Sequence, residues 1–369
     1  MKLVFIGPGR YVQGRGVIGE IGDLLTPLGS KPLVLWDDTV KSLFGEQVLG
    51  SIKAASLDVI DVTFEGESTK EEATRVAQLA RDGGADITVG IGGGKAIDIA
   101  KAVTFDVGTK LMTVPTIAAT DAPTSAASVW YDAESNFTGF ECWPANPNVV
   151  LVDTQVIAGG PSRAFSAGMG DALSTWVECE SAYKTRALNI AGGGSTLAAM
   201  AIARLGFDTL MEYGVEALRA VRNNVVTPAV ERVVEANVLH SGLGFESGGL
   251  ATAHMVANLL SNQPECSHLM HGEKVGFGII TQLVLDEDSE TDEMLQIIDF
   301  EVAIGLPVTF AELGMTNVTR EQLQSIGEAC AGEGSLCGNH CFDVTADSVV
   351  DAMIAADALG QERKALQGP

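Results

Sequence analysis

Histidine and aspartate side chains that could bind a metal ion lie in the second half of this 369-residue chain. His254 lies in an apolar stretch with helical spacing, and His268 and His271 follow three residues apart. Asp171 follows a glycine-rich turn and is predicted to begin a helix. Imidazole and carboxylate groups are common ligands of catalytic metal ions. A histidine on an apolar helix is also commonly a hydrogen-bonded core residue, so the residue types alone leave both interpretations open.

A second group of candidate ligands lies near the C-terminus and consists of Cys330, Cys337, His340 and Cys341. Its spacing lacks the paired C-x-x-C of a structural zinc site. The six cysteines of the chain are irregularly spaced, which is typical of reduced thiols in a cytoplasmic protein. We expect them to be mostly small buried apolar residues, and this segment suggests no function.

A run of glycines, Gly90-Ile91-Gly92-Gly93-Gly94-Lys95, could bind phosphate groups. It follows a predicted strand, Asp86–Ile91, and opens an apolar helix, so its backbone N–H groups would point at a diphosphate and Lys95 would add a positive charge. Val89 and Ala96 stand where a Walker loop needs glycine and a hydroxyl residue. A plain strand-to-helix turn, the alternative, needs only one glycine.

A second glycine pattern, Gly14-x-Gly16-x-x-Gly19, matches the fingerprint of dinucleotide-binding folds, with Asp37 located 18 residues beyond it. Seven residues separate Gly14 from the predicted first strand, residues 1–6. That distance is too long for the tight turn that places a helix N-terminus on a pyrophosphate. We therefore favour a turn and capping role for these glycines.

The predicted strand Lys110–Val114 leads into a polar loop, Pro115–Ser125, whose one carboxylate is that of Asp121. Ligands of parallel α/β sheets bind at the carboxyl edge of the sheet, where this loop would lie. A polar turn without a function is the alternative.

Short apolar runs alternate with helical patterns over the first 160 residues, which predicts βαβ units around a mostly parallel sheet. Further strands are predicted at Pro32–Trp36, Asp58–Phe64 and Val149–Val152, and Thr69-Lys70-Glu71-Glu72 is a capping box that opens a crossover helix. Beyond residue 160 the pattern is helical, with starts predicted near Asp171, Gly192, Pro228, Gly248, Glu273, Thr319 and Thr345. We predict an α/β domain, residues 1–160, and an all-helical domain, residues 161–369.

The charge balance excludes two classes of partner. The chain has 23 Lys and Arg against 48 Asp and Glu, a net charge of −25, so nucleic acid and anionic membrane surfaces would be repelled. The longest uncharged run, residues 187–203, contains three successive glycines and several polar side chains, which argues against a membrane span. We expect a cytoplasmic protein that acts on a small molecule.

Five motifs in order resemble the glycerol dehydrogenase branch of the iron-containing alcohol dehydrogenase family, over nearly the whole chain. They are Gly92-Gly93-Gly94-Lys95 with Asp98 and Lys101, Pro115-Thr116-Ile117 with Thr120-Asp121-Ala122-Pro123, Gly170-Asp171-Ala172-Leu173, the run Gly244 to Leu250, and His271-Gly272-Glu273-Lys274-Val275.

The resemblance implies a Rossmann-like dinucleotide-binding domain and a helical metal-binding domain, the architecture of dehydroquinate synthase, in a homo-oligomer. It implies one Zn²⁺ per subunit, in preference to Fe²⁺, bound by Asp171, His254 and His271, with Asp121 as a further catalytic residue that contacts the polyol. The residues it assigns to NAD are Asp37, Gly92, Gly93, Gly94, Lys95, Thr116, Ala119, Ser125, Ala127 and Tyr131. Ala119, Thr124 and Ala127 depart from the commonest residues of the branch.

The reaction implied is oxidation of glycerol, or a close vicinal diol, to dihydroxyacetone or the corresponding hydroxyketone with hydride transfer to NAD. One alternative is a phosphate-eliminating cyclase of the dehydroquinate synthase type, but such an enzyme needs a basic pocket, and the loop around Asp121 has few Lys or Arg. A non-catalytic NAD-binding sensor is the other alternative, and the candidate metal ligands argue against it.

Asp37 predicts a preference for NAD over NADP. A carboxylate after the second strand accepts hydrogen bonds from both ribose hydroxyls but repels a 2′-phosphate. Asp37→Ser should therefore narrow the difference in catalytic efficiency between the two cofactors by roughly 1–3 kcal/mol. Steady-state kinetics with each cofactor measures this difference, and equal wild-type efficiencies would contradict the prediction.

Overall fold

The computed structural model describes residues 1–367, so Gly368 and Pro369, the end of the predicted second domain, lie outside the described part. Contacts between residues divide the chain into two compact units. The sheet unit comprises Ile6–Phe165 and Ala220–Gly242, and the helical unit comprises Met1–Phe5, Ser166–Arg219 and the chain from Leu243 onward. The domain limits 1–160 and 161–369 stay a prediction; by contacts the chain first passes from the sheet unit to the helical unit between Phe165 and Ser166.

The strands form one parallel sheet and one antiparallel hairpin. They are β1 (Tyr11–Gly14), β2 (Pro32–Trp36), β3 (Ile60–Thr63), β4 (Ile87–Gly92), β5 (Lys110–Pro115), β6 (Ala127–Tyr131), β7 (Phe137–Cys142) and β8 (Val149–Asp153). The parallel sheet has the order β1-β8-β5-β4-β2-β3, and β6 pairs with β7. The chain leaves β2 for β3 on one side and returns to β4 on the other, so the order reverses between β2 and β4. At such a switch point the connecting segments diverge and open a crevice for a ligand.

Helices flank this sheet and make up most of the helical unit. In chain order they are α1 (Ile21–Leu25), α2 (Asp38–Ala54), α3 (Lys70–Gly83), α4 (Gly94–Val107), α5 (Thr154–Ala158), α6 (Ser162–Thr185), α7 (Leu197–Val221), α8 (Pro228–Glu235), α9 (Ser241–Gly248), α10 (Thr252–Leu260), α11 (His271–Leu285), α12 (Thr291–Ile304), α13 (Arg320–Cys330) and α14 (Ala346–Gln367). A π-helical turn, Ala236–His240, joins α8 to α9. Among the described residues, no helix is long and apolar enough to cross a membrane.

The sheet is buried on both faces by alternate residues of its strands. Val34 and Trp36 pack in one hydrophobic core with α1 and α2, whereas Leu33 and Leu35 pack in the other with α3 and α4. Burial on both faces explains why β2 is continuously apolar instead of alternating. Thr69 caps α3 by accepting a hydrogen bond from the backbone N–H of Glu72 at 3.1 Å, as the capping box predicts.

The helical unit has its own core, to which α10, α11, α13 and α14 contribute Val256, Phe277, Ile326 and Met353. This arrangement, together with the parallel sheet and its flanking helices, confirms the predicted fold class.

Two of the predicted element starts are wrong. Residues 1–6 form no strand, because Met1–Phe5 belongs to the helical unit, where Leu3 makes a single parallel bridge with Gly194. Asp171 does not begin a helix but lies well inside α6, since the glycines before it remain helical. The hairpin β6–β7 and helix α12 were not predicted. Strand β6 has only five residues, and the start of α12 lies among charged residues.

The segment from Gly14 to Gly19 follows β1 directly, so the seven-residue gap inferred from the sequence is also wrong. Gly16 has a positive φ of 81°, and its backbone N–H donates to Asp153 at 3.0 Å. The N–H of Ile18 donates to the second oxygen of the same carboxylate, also at 3.0 Å. Because Asp153 occupies the donors that a phosphate would need, the structure supports the turn role of these glycines.

A buried carboxyl group of the helical unit has no hydrogen-bond partner among the described residues. Glu301 of α12 is fully buried, and neither of its oxygens has a hydrogen-bond partner among the residues that the structure describes. Its Oε1 would lie 3.6 Å from a Cβ placed at Gly276 of α11, an ordinary van der Waals contact. Burial raises the pKa of Glu301 well above its usual range.

Replacement of Glu301 by glutamine should make stability less dependent on pH. A raised folded-state pKa means that stability is greatest below the unfolded pKa of about 4.3 and is lost as the pH rises toward the folded value. Glutamine cannot ionise, so the melting temperature of Glu301→Gln relative to wild type should increase steadily from pH 4 to pH 8. Each unit by which the folded-state pKa of Glu301 exceeds the unfolded value should add about 1.4 kcal/mol to this gain.

The matched control is Glu328→Gln, on the exposed surface of α13. Its melting temperature relative to wild type should change little over the same pH range. A pH-independent difference for Glu301→Gln would contradict the prediction.

Candidate active site

Three side chains from three helices converge in the helical unit. Asp171 of α6 has its Oδ1 atom 3.4 Å from the Nε2 atoms of both His254 of α10 and His271 of α11. One ligand atom from each residue lies within 4.8 Å of the others. Asp171 is 1% exposed, and neither of its oxygens has a hydrogen-bond partner among the described residues. Two buried carboxylate oxygens without a partner, facing two imidazoles, fit a divalent metal ion.

The charges in this cluster favour an ionised carboxylate. Burial opposes the ionisation of Asp171, but the neighbouring charges of His271 and His254 outweigh it and lower the pKa of Asp171. A bound cation would take the place of the protons on the histidines, so metal binding would release protons.

A second buried carboxylate orients His254. Glu178 is fully buried, and its Oε2 lies 2.5 Å from Nδ1 of His254. Its Oε1 accepts hydrogen bonds from the backbone N–H groups of Ala251 (2.8 Å) and His254 (2.9 Å). Burial lowers the pKa of His254, but the charge of Glu178, its hydrogen bond with Nδ1 and the charge of Asp171 raise it overall. With Nδ1–H donated to Glu178, the Nε2 lone pair is directed toward Asp171.

Glu178 is a functional candidate that the sequence analysis missed. It lies seven residues after Asp171, on the same face of α6, and Ser174 lies between them with its Oγ 3.5 Å from Nδ1 of His254. A search for acidic residues at i+7 from the predicted ligand would have found Glu178.

Two glycines allow α6 and α11 to approach closely enough for Asp171 and His271 to meet. A Cβ at Gly272 would lie 1.8 Å from the backbone oxygen of Ala167, and one at Gly170 would lie 2.5 Å from the backbone oxygen of Gly272. Any side chain at either position would therefore push the helices apart. This contact explains why both ligands have a glycine as their immediate neighbour in the sequence.

The other candidate ligands lie elsewhere. His268 is exposed, with Nδ1 located 3.0 Å from the backbone oxygen of Glu265. Within the described residues, Asp171, His254 and His271 form the only group of three that could hold a metal. The C-terminal group of Cys330, Cys337, His340 and Cys341 therefore does not form a metal site there.

The predicted dinucleotide residues lie at the switch point of the sheet unit. Asp37 follows β2 and caps α2 by accepting the N–H of Val40 at 2.8 Å. Gly92 ends the neighbouring strand β4 with φ of 152°, and a Cβ there would lie 4.0 Å from Oδ2 of Asp37. Gly93 is the N-cap of α4 and Gly94 its first residue. Bare backbone at a helix N-terminus beside a carboxylate is suited to a diphosphate and a ribose.

Lys95 lies next to these glycines but is already paired. Its Nζ lies 2.5 Å from Oε1 of Glu67, and its side chain is half exposed. Contact with a phosphate would require Lys95 to leave this ion pair.

A buried ion pair fixes the start of β6 and the end of the loop before it. Lys101 is fully buried and donates to Asp98 (3.1 Å), to the hydroxyl of Ser125 (3.1 Å) and to the backbone oxygen of Ala127 (2.5 Å). Asp98 in turn accepts the N–H of Val129 at 3.0 Å. Two of the predicted cofactor contacts, Ser125 and Ala127, are therefore held by one ammonium group that the resemblance did not assign to NAD.

The remaining predicted cofactor residues lie on β5, β6 and the loop between them. Thr116 is buried, and its N–H donates to the backbone oxygen of Gly92 at 3.0 Å. Ala119 is partly buried in the loop. Tyr131 ends β6, where burial and the nearby charges of Asp98 and Glu67 raise its pKa to about 12, so it stays a neutral hydrogen-bond donor.

The π-helical turn Ala236–His240 anchors the loop that contains Asp121. Thr124 donates to the backbone oxygen of Val238 at 2.7 Å, and Asn237 donates to that of Ala118 at 3.1 Å. The hydroxyl of Ser241 lies 3.1 Å from Oδ2 of Asp121. No sequence pattern pointed to this turn, because its residues contact the loop across more than a hundred positions of chain.

The structure thus groups the predicted residues in two sets. The metal ligands lie together in the helical unit, and the cofactor residues and Asp121 lie in the sheet unit. A parallel sheet with bare glycine backbone at its switch point, combined with an Asp-His-His cluster, is typical of metal-dependent oxidoreductases that use a dinucleotide.

Comparison with known proteins agrees with this class. Residues 8–154 match the family model of iron-containing alcohol dehydrogenases. A glycolaldehyde reductase of Halobacterium salinarum is 43% identical over 98% of this chain and 99% of its own length. A glycerol dehydrogenase of Pseudomonas putida is 43% identical over 96% of this chain and 97% of its own length. The crystal structure of a glycerol dehydrogenase from Schizosaccharomyces pombe superposes with a TM-score of 0.95 at 35% identity, over 100% of this chain and 93% of that one.

The chain therefore belongs to the iron-containing alcohol dehydrogenase family, and the resemblance drawn from the five motifs is confirmed.

The histidines provide a direct test of the ligand assignment. His271→Ala removes one of three ligands and should abolish stoichiometric zinc binding, as measured by elemental analysis after loading and dialysis. It should also remove the increase in melting temperature that zinc produces, since a ligand at 100 times its Kd stabilises by about 2.7 kcal/mol. His268→Ala, the matched control, should bind and be stabilised like wild type. Equal metal loss in the two variants would contradict the assignment.

Proposed function

We propose that this protein oxidises glycerol, or a close vicinal diol, to the hydroxyketone, with zinc at Asp171, His254 and His271 and with NAD at the switch point of the sheet. The observation that carries the proposal is the pair of buried Asp171 oxygens without a hydrogen-bond partner, facing two imidazoles. The relatives named glycerol dehydrogenase, at about 43% identity, support the choice of substrate.

The three ligands would leave coordination positions open for substrate oxygens, as a catalytic site requires. Bound there, zinc would act as a Lewis acid that lowers the pKa of the reacting hydroxyl, and NAD would accept the hydride. Asp171 contributes a negative charge in a site where burial strengthens electrostatic interactions. Glu178 keeps His254 in the tautomer that presents Nε2.

On the sheet unit, Asp37 would accept hydrogen bonds from the ribose of the cofactor, and the N-terminus of α4 would bind its diphosphate. Lys101 and Asp98 hold Ser125 and Ala127 in place without reaching the cofactor themselves. Asp121 would accept a hydrogen bond from a hydroxyl of the polyol and so orient the reacting carbon.

Reduction of a hydroxyaldehyde is the second candidate function. The Halobacterium relative is named for glycolaldehyde, and its identity to this chain, 43%, equals that of the Pseudomonas glycerol dehydrogenase. Such a reduction is the same hydride transfer in reverse, on a substrate that also has two adjacent oxygens.

A substrate panel decides between these candidates. Activity is measured with glycerol, 1,2-propanediol or ethanol and NAD, and with glycolaldehyde and NADH. Each measurement is made before chelation, after chelation, and after readdition of zinc or of Fe²⁺. We expect chelation to abolish activity and zinc to restore it, with glycerol preferred to simple alcohols. Glycolaldehyde as the best substrate would favour the second candidate. Full activity after complete metal removal would contradict the metal-dependent mechanism.

Asp121→Ala tests the proposed contact with the polyol. A charge-assisted hydrogen bond contributes roughly 1.5–3 kcal/mol, so kcat/KM for glycerol should fall by about one to two orders of magnitude. For a monoalcohol, which lacks the second oxygen, the loss should be much smaller. Zinc content and the Kd for NAD should stay near the wild-type values.

Ser241→Ala is the matched control, because it removes the hydroxyl beside Asp121 but keeps the carboxylate. Its effect on glycerol should be much smaller than that of Asp121→Ala. If Asp121→Ala impaired glycerol and a monoalcohol equally, Asp121 would only stabilise the loop.

A further inference from the structure

The N-terminus of α10, the helix that carries His254, is capped by side chains of other helices. Its own N-cap residue, Ala251, makes no side-chain hydrogen bond. The first N–H groups of a helix have no partner within the helix and need one from outside. Glu178 of α6 accepts the N–H groups of Ala251 and His254. The N–H group between them, that of Ala253, has its partner on α11.

That partner is the side-chain amide of Gln282, which is 1% exposed. The N–H of Ala253 donates to Oε1 of Gln282 at 2.9 Å. Nε2 of Gln282 donates to the backbone oxygen of Val177 on α6 at 3.1 Å and to Oγ of Ser181 on the same helix at 3.3 Å. The amide of one residue on α11 therefore binds both α6 and α10, and each of these three helices carries one candidate metal ligand.

The partners of this amide fix its orientation. A backbone N–H only donates and a backbone carbonyl only accepts, so Oε1 faces Ala253 and Nε2 faces Val177. Val177 directly precedes Glu178, the carboxylate that orients His254. Ala253 directly precedes His254 itself. The amide thus joins the two segments whose relative position determines the hydrogen bond between Glu178 and His254.

Close packing of α10 on α11 brings Gln282 to this position. Gly278 lies one turn before Gln282 on the same face of α11, since residues four apart in a helix lie one above the other. A Cβ at Gly278 would lie 2.2 Å from the backbone oxygen of Ala253. The backbones of the two helices are therefore in contact at the level where the amide meets Ala253.

We propose that Gln282 is a positioning residue of the metal site, whose amide holds Glu178 and His254 in register before the metal ion binds. Gln282 lies about 16 Å along α11 from the candidate ligand His271, at 1.5 Å per residue, so it acts through α6 and α10 and not as a ligand. The inference rests on the metal site of the proposed function, but not on its substrate or its cofactor.

Gln282→Met tests the proposal, because methionine has a similar length but makes none of these hydrogen bonds. The Kd for zinc is measured by competition with a chelator, without NAD or substrate. Removal of a residue that orients metal ligands typically weakens metal binding roughly 10- to 100-fold, and we expect a rise in Kd of that size.

Thr281→Val is the matched control. Thr281 is also fully buried on α11, and its hydroxyl donates to the backbone oxygen of Phe277 within the same helix at 3.0 Å. This variant removes a buried hydrogen bond that joins no other helix, so its Kd for zinc should stay near the wild-type value. An equal rise in Kd for both variants would overturn the proposal, because weaker binding would then follow from lost stability.

Cobalt provides a spectroscopic readout of the ligand geometry. The visible absorption bands of protein-bound Co²⁺ depend on the arrangement of its ligands. At saturating Co²⁺, Gln282→Met should have altered bands, whereas Thr281→Val should reproduce those of the wild type. A lower melting temperature of Gln282→Met with the wild-type Kd and the wild-type bands would overturn the proposal, since Gln282 would then only stabilise the fold.

Hydrogen exchange of the metal-free wild-type protein tests the same inference without a substitution. If the amide holds α10 in place before the metal ion binds, the N–H of Ala253 should exchange slowly in the absence of metal. Mass spectrometry of peptides that span residues 251–256 measures this rate. Exchange as fast as that of the exposed segment 331–334 would overturn the proposal.

The inference and the proposed function fail in distinguishable ways. A wild-type protein that binds zinc but does not oxidise glycerol would contradict the proposed function alone. A wild-type protein that oxidises glycerol with zinc, and whose Kd for zinc is unchanged by Gln282→Met, would overturn the role of Gln282 alone. A wild-type protein that binds no metal ion would overturn both.

Discussion

The buried carboxylate of Asp171 is the constraint on which the architecture of the helical unit depends. A carboxylate that is 1% exposed and has no hydrogen-bond partner among the described residues is costly unless a cation lies beside it. His254 and His271 lie beside Asp171 as the other two candidate ligands of that cation, and Glu178 orients His254. Helix α6 carries both carboxylates on one face, so the position of one helix determines both the ligand and the group behind it.

Close packing of backbone makes this arrangement possible. Gly170 and Gly272 place α6 and α11 in direct contact, and the ligands next to these glycines are brought together as a result. Glycine costs helix stability because it is flexible in the unfolded chain. Here that cost is offset by packing of α11 in the core shared with α10, α13 and α14.

The sheet unit differs in that the ends of its strands at the switch point present backbone rather than side chains. The strand order reverses between β2 and β4, and these strands are adjacent and parallel. Asp37 directly follows β2, and Gly92 is the last residue of β4. Burial on both faces makes the sheet a rigid support for these ends. The loop around Asp121 is held by a buried ammonium group on one side and by the π-helical turn on the other.

Local sequence determined the elements whose signals lie within a few residues: β2, the capping box at Thr69 and the glycine run from Gly92 to Gly94. The five motifs also determined the family, because their residue types and their order can be read from the sequence without knowledge of the fold. Only the tertiary structure decided that residues 1–6 form no sheet strand, that Asp171 lies inside a helix, and that Asp153 occupies the turn at Gly16. It alone revealed Glu178 and the π-helical turn. Each of these depends on which segments pack together. Local propensity contains no information about contacts between residues far apart in the chain.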